Sequence, residues 1–250
     1  MFQTSIKDRV LEVTLARPPV NAINREWIDG FSAILDSLGQ HPEVAVVLIR
    51  SAERVFSAGA DLKAMRDCFA SDDGSEAMVE TVRRMQRLYD RIEALPQATV
   101  AEISGAAFGG GFELTLACDL RIAADTASLG LPEARLGLLP GAGGTQRLSR
   151  LAGPGIARRV ILTAEVLDGS QAQALGLVQW STPAAELGAL TTEIVGRLTS
   201  MSPSALAAIK RCFSAADARL ETGLLIELLE THKLFHTPDT RKRVAAFLDR

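Results

Sequence analysis

Strand-like and helix-like patterns alternate along the first two-thirds of this chain, and that alternation restricts the fold more than any single motif. Val10-Leu-Glu-Val-Thr-Leu15 alternates like a half-buried strand, whereas Val44-Ala-Val-Val-Leu-Ile49 is a continuous apolar run suited to a sheet covered on both faces. Between them Trp27, Phe31, Ile34, Leu35 and Leu38 recur at helical spacing. Met78, Val82, Met85, Leu88, Ile92 and Leu95 then form the apolar stripe of a long helix over residues 75–95, and Ala98-Thr-Val-Ala-Glu-Ile103 returns to the sheet. A short helix over 110–118 precedes another strand at 119–124. This order predicts a mostly parallel α/β core. From residue 144 onward helical patterns dominate, at 156–162, 184–198, 203–213, 218–235 and 240–248, so the tail is expected to be strand-poor, as a helical subdomain or an oligomerisation surface. Without a low-complexity linker or a fixed-period repeat, one compact unit with a helical extension is the simplest arrangement.

Composition narrows the class. With 250 residues, 47% apolar and 23% charged, the chain suits a soluble globular protein with a substantial core. No apolar run reaches the roughly 18 residues of a membrane span, and the first residues lack a basic-then-apolar leader, so a cytoplasmic protein with no membrane partner is expected. A formal charge of −3 gives no global attraction for nucleic acid. Arg83, Arg84, Arg87 and Arg91 are interleaved with Glu76, Glu80, Asp90 and Glu93, which reads as an ion-paired helix face; holding an anion such as RNA is the alternative. Cys68, Cys118 and Cys212 are too scattered for a disulfide framework or a paired-cysteine zinc site.

The familiar catalytic motifs fit poorly. No Gly-x-Gly-x-x-Gly opens a helix in the required place, and Gly141-Ala-Gly-Gly-Thr145 lacks the lysine of a phosphate loop. His232 and His236 have metal-compatible spacing but no evident third ligand, and neither Ser57 nor Ser104 sits in a nucleophile elbow. Two carboxylates remain. Gly109-Gly-Gly-Phe-Glu113 places the bare Gly110 amide at a helix start and a carboxylate one turn later, and Glu133 follows in the short strand region Leu131-Pro-Glu133. Ser57-Ala-Gly-Ala-Asp61 is a second loop whose small side chains leave its amides open. Either segment alone is also consistent with a tight structural turn; together they can form a two-donor oxyanion site beside acid–base groups.

These segments resemble the enoyl-coenzyme A hydratase/isomerase, or crotonase, family. The matching blocks are Phe56-Ser-Ala-Gly-Ala-Asp-Leu62, Gly105-Ala-Ala-Phe-Gly-Gly-Gly-Phe-Glu-Leu114, Ala117-Cys-Asp-Leu-Arg-Ile122 and Leu131 through Arg147, with weaker likeness from Val10 to the C-terminus. The resemblance implies a crotonase-like α/β spiral of β-β-α turns over residues 1–190 and a C-terminal helical region, 191–250, that builds homotrimers or hexamers formed as dimers of trimers. It implies an acyl thioester of coenzyme A as ligand and no separate cofactor or metal, coenzyme A being part of the substrate. By the same resemblance Ala60 and Gly110 donate amides to the thioester oxygen, and Ala58, Asp61, Leu62 and Lys63 line the bound thioester and its arms. Possession of both Glu113 and Glu133 favours hydration of a 2,3-double bond, with Glu113 activating water and Glu133 protonating the α-carbon.

The nearest rivals are a double-bond isomerase or another enolate-forming lyase or decarboxylase of the family, and a non-catalytic RNA-binding member is a more distant one. Ala16-Arg-Pro-Pro-Val-Asn-Ala-Ile23 is one residue shorter than the usual opening, and Arg241-Lys-Arg-Val244 departs from the usual acidic residue and glycine. Met65, Phe69, Met85 and Leu88 are candidates to border an acyl tunnel, with helix packing preferred for Met85 and Leu88.

Overall fold

A computed structural model describes residues 1–69 and 72–216, together with Lys233 and Pro238. The expected helices at 218–235 and 240–248, His232, His236, the 241–244 departure and the Phe69 side chain lie outside the described residues.

The chain opens with an antiparallel hairpin of β1 (Phe2–Lys7) and β2 (Val10–Leu15). Helix α1 (Arg25–Ser37) follows, started by Asn24, whose side chain accepts the Trp27 amide at 2.9 Å. Its stripe buries Trp27, Phe31 and Leu35, and Phe2 meets both aromatic rings, tying α1 to the hairpin. Each such burial contributes about 1.5–3 kcal/mol.

Three turns of a spiral come next, and each sends one strand through a main sheet, a shorter segment through a second sheet, and then a helix. The first turn is β3 (Val46–Ser51), a single bridge at Ser57, then α2 (Leu62–Phe69) and α3 (Gly74–Glu93). The second is β4 (Ala98–Ile103), β5 (Ala107–Phe108) and α4 (Gly110–Leu116). The third is β6 (Leu120–Ala124), β7 (Ser128–Gly130), a 3-10 turn at Pro132–Leu136 and α5 (Gly144–Leu162), which kinks at Gly153 before Pro154. β8 (Val166–Asp168), α6 (Gly169–Ala174), β9 (Trp180–Thr182), α7 (Leu187–Ser200) and α8 (Pro203–Ala216) complete the described chain.

The main sheet runs β1-β2-β3-β4-β6-β9, with every neighbouring pair parallel except β1 and β2. The second sheet runs β5-β7-β8. The buried runs Val46–Ile49 and Ala98–Ile103 form the centre of the main sheet, on which α7 packs. One register matters for function: Ser57 bridges Ala107, and Ala107 pairs with Leu129. The second sheet therefore lines up the same point of three successive turns.

Some expectations need correction. The tail contributes β8 and β9, and β9 joins the main sheet; at three residues each they are too short to show a period. β1 escapes the pattern because it is an edge strand with five of its six residues exposed. Leu131-Pro-Glu133 leads into a 3-10 turn rather than a strand, with Pro132 at the start, where no amide is needed. No described helix is long and apolar enough to cross a membrane.

Candidate active site

The register of the second sheet brings two amides together. Ala60 lies three residues beyond Ser57, Gly110 three beyond Ala107, and an ideal Cβ on Gly110 would stand 3.8 Å from the Ala60 nitrogen. A glycine with positive φ precedes each donor, Gly59 at +87° and Gly109 at +50°. This conformation, strained for any other residue, turns the next amide out of the sheet. Gly59 must also be bare, because a Cβ there would meet the Phe108 carbonyl at 2.7 Å. The neighbouring amides are used: Ala58 donates to Val20 O at 3.0 Å and Asp61 to Ile23 O at 2.9 Å. The Ala60 and Gly110 amides have no hydrogen-bond partner among the described residues. In the third turn the equivalent position, three beyond Leu129, is Pro132, which has no N–H, and the next residue supplies a carboxylate instead, Glu133.

The two acids face this donor pair from different settings. Glu113, one turn into α4, is 2% exposed, and its Oε1 accepts the Gly144 amide at 2.7 Å. Burial pushes its pKa up to about 7; the Gly144 amide opposes the rise, the charge of Glu133 adds to it, and the Ala142 amide and Arg147 oppose it more weakly. Glu133 is only partly buried, and burial raises its pKa as well. Its Oε2 is shut off from solvent with no partner among the described residues. Each acid depends on a bare glycine: a Cβ on Gly144 would lie 2.9 Å from Glu113 Oε1, and one on Gly109 would lie 2.9 Å from Glu133 Oε1.

A cavity of 590 Å³ contains all four groups. Ala58, Asp61 and Leu62 line it as expected, while Lys63 is exposed on α2 and is not among its lining residues. Met65 and Met85 line it too, and Leu88 does not. The preference for packing at Met85 is thus corrected: it packs on Gly110 and also faces the cavity, because α3 runs along the cavity wall. A mostly apolar chamber lined by two acids and by two amides with no partner among the described residues can hold an acyl thioester, stabilise an enolate and move protons at adjacent carbons.

Comparison with known proteins agrees with this geometry. Residues 5–250 match the family described as enoyl-CoA hydratase/isomerase. The chain belongs to that family. A probable enoyl-CoA hydratase 2, mitochondrial, of Arabidopsis thaliana is 38% identical over 96% of this chain and 79% of its own length. A probable enoyl-CoA hydratase of Mycobacterium bovis is 35% identical over 97% of this chain and 92% of its own. The crystal structure of an enoyl-CoA hydratase from Bacillus anthracis matches with a TM-score of 0.92 at 34% identity, covering 99% of this chain and 96% of that one. The expected crotonase spiral is therefore the fold.

Within this family member, several supporting residues were not singled out by sequence. Arg147, 6% exposed, donates to Ala142 O at 3.0 Å and is held by Asp90 at 2.6 Å and Glu93 at 2.9 Å, so α3 anchors the loop that carries the Gly144 amide. Gln86 grips the same loop through Gly141 O at 2.7 Å. The shortened opening segment also has a task. Arg17 pairs with Asp61 at 2.8 Å and donates to Ala22 O at 2.6 Å, and it holds the Asp61 carboxyl below its ordinary range. Asp61 Oδ1 meanwhile accepts the Lys63 amide at 3.1 Å, which fixes the chain just past Ala60. On the α3 face, Arg83, Arg84 and Arg91 are paired with Glu80, Asp29 and Asp36, in keeping with the ion-paired surface that their pattern predicts.

Proposed function

We propose that this protein is an enoyl-CoA hydratase that adds water across the 2,3-double bond of a 2-enoyl-CoA thioester. The observation that carries the reading is the convergence, in one apolar cavity, of two carboxylates with raised pKa and two amides that have no partner among the described residues. The thioester oxygen accepts the Ala60 and Gly110 amides, which draws electron density from the double bond and makes C3 electrophilic. Water bound between the acids gives a proton to Glu113 as its oxygen attacks C3. The enolate charge rests on the amides until Glu133 delivers its proton to C2. One water has then been added, and the acids regain their starting states by passing the proton back through the next water.

Burial raises the pKa of Glu113 at least as clearly as that of Glu133, so the roles are not divided by burial alone. Two features favour Glu113 as the base. The Gly144 and Ala142 amides donate to its carboxylate, which supports the charged form. Glu133 still meets solvent, so a bound acyl chain would desolvate it further and favour its protonated form. The substrate carries its own coenzyme A, and the reaction as written needs no metal or other cofactor. The exposed Ile209 and Phe213 on α8 are apolar side chains that an association between copies would cover; the trimer, or pair of trimers, is what the family resemblance implies. Loss of enoyl absorbance on crotonyl-CoA tests the activity: steady loss by the wild type and near-absence of it in Glu133→Gln are expected. Undiminished turnover in that variant would remove the assignment.

A further inference from the structure

Tyr89 is the chain's single tyrosine and is completely buried on α3. Its place in the apolar stripe, four residues after Met85 and three before Ile92, is one that a phenylalanine would fill without burying a hydroxyl. A buried hydroxyl is unfavourable without a partner, and this one donates to the Gly110 carbonyl at 2.7 Å. Resting on the hydratase reading, we propose that Tyr89 is a positioning residue that aims the Gly110 amide at the thioester oxygen.

The need for such a residue comes from the loop itself. Gly109, Gly110 and Gly111 have no side chains to anchor them, and glycine loses more conformational freedom on ordering than any other residue. Each is therefore held through its backbone. Gly109 donates to Gly130 O at 3.1 Å, and Gly111 is pressed so closely on Ser57 that a Cβ would meet its carbonyl at 2.5 Å. Gly110 is held from α3 twice, one helical turn apart. Met85 Cε covers its Cα, where a Cβ would lie 2.6 Å away, and Tyr89 holds its carbonyl. With the Cα and the carbonyl fixed and the preceding residue tethered, little freedom is left to the N–H direction. Removing the hydroxyl releases one of these restraints and leaves the ring in the core.

The test is Tyr89→Phe, read in two ways. Turnover of a 2-enoyl-CoA gives kcat and KM, and the absorption of a bound conjugated dienoyl-CoA reports carbonyl polarisation, because amide donors on the thioester oxygen move the band to longer wavelength. The expected result is a kcat lower by about 10-fold with little change in KM, and a clearly smaller red shift per bound ligand. The shift is read only on folded, ligand-bound protein, so it does not depend on how much of the variant folds. Leu88→Val, which trims a neighbouring core side chain that does not line the cavity, should lower stability and keep the wild-type shift and kcat. A wild-type shift and kcat in Tyr89→Phe, or equal losses in Leu88→Val, would overturn the inference. Failure of the wild type itself to hydrate the ester would instead sink the hydratase reading.

Discussion

Glu113 and Glu133 share one cavity and one functional group, yet they are held differently. Glu113 belongs to a helix, is sealed in by its own turn and by Gly144, and receives amide hydrogen bonds. Glu133 stands on a 3-10 turn at the cavity wall, is partly exposed, and keeps one oxygen without a partner among the described residues. The difference teaches that a carboxylate's role is set by its surroundings: in the proposed reaction the fixed, amide-supported Glu113 serves as the base and the less satisfied Glu133 holds the proton that substrate needs. The charge of Glu133 is one cause of the raised Glu113 pKa, so the state of Glu133 is felt at Glu113.

The sharpest way to break this contrast is to neutralise each acid. Glu113→Gln and Glu133→Gln should each lower hydration by about 10²- to 10⁴-fold, measured as loss of enoyl absorbance. If one variant keeps near-wild-type turnover, the proposed partnership is wrong.

Two glycine substitutions press on the acids one at a time. Gly144→Ala would place a Cβ 2.9 Å from Glu113 Oε1, and Gly109→Ala would place one 2.9 Å from Glu133 Oε1 while also straining a φ of +50°. A displacement of about 1 Å can cost about 10²-fold, and losses of that size in kcat are expected for both. Crystal structures of the two variants should show only the adjacent acid displaced; movement of both would merge the two settings into one.

Stability against pH gives a third comparison. The Glu113 pKa rises from 4.5 in the unfolded chain to about 7 in the fold. The unfolded chain releases this proton first, so the group's contribution is full below about pH 4.5 and is lost as pH rises through 7, a change on the order of 3 kcal/mol. Denaturant unfolding of Glu113→Gln should therefore gain on the wild type between pH 5 and pH 8. A pH-independent difference would mean that Glu113 is not held in the sealed setting described.

The smallest expected effect is that of Arg147→Met, which frees the loop behind Glu113 and leaves the Glu133 turn alone. A kcat loss of about 3- to 10-fold is expected, since the aim of the Gly144 amide relaxes and a weak electrostatic support of the Glu113 carboxylate is lost, while both acids and both oxyanion amides stay in place.

Much of this was legible in the sequence because it is local. The strands at 10–15 and 98–103, the long helix with its stripe and the amide–acid spacing from Gly110 to Glu113 all follow from short-range patterns. Local patterns did not contain the register between distant segments; the partnership of Ala60 and Gly110 came from the family resemblance. No periodicity says that Ser57 lies beside Ala107, and that register is what makes Ala60 and Gly110 neighbours. Arg147 stood in a matched block, but its grip on Ala142 depends on α3 crossing nearby. Tyr89 left a usable signal: a lone tyrosine in an apolar stripe must bury a hydroxyl, and that hydroxyl needs a partner.

The central claim is that the two differently held acids together add water. It is tested most directly by the mass of the product formed from a 2-enoyl-CoA in ¹⁸O-labelled water, with the wild type and Glu113→Gln side by side. The wild-type product should gain one labelled water, and the variant should form almost none. A wild-type product of unchanged mass with its double bond moved, or labelled product formed as readily by the variant, would contradict that claim.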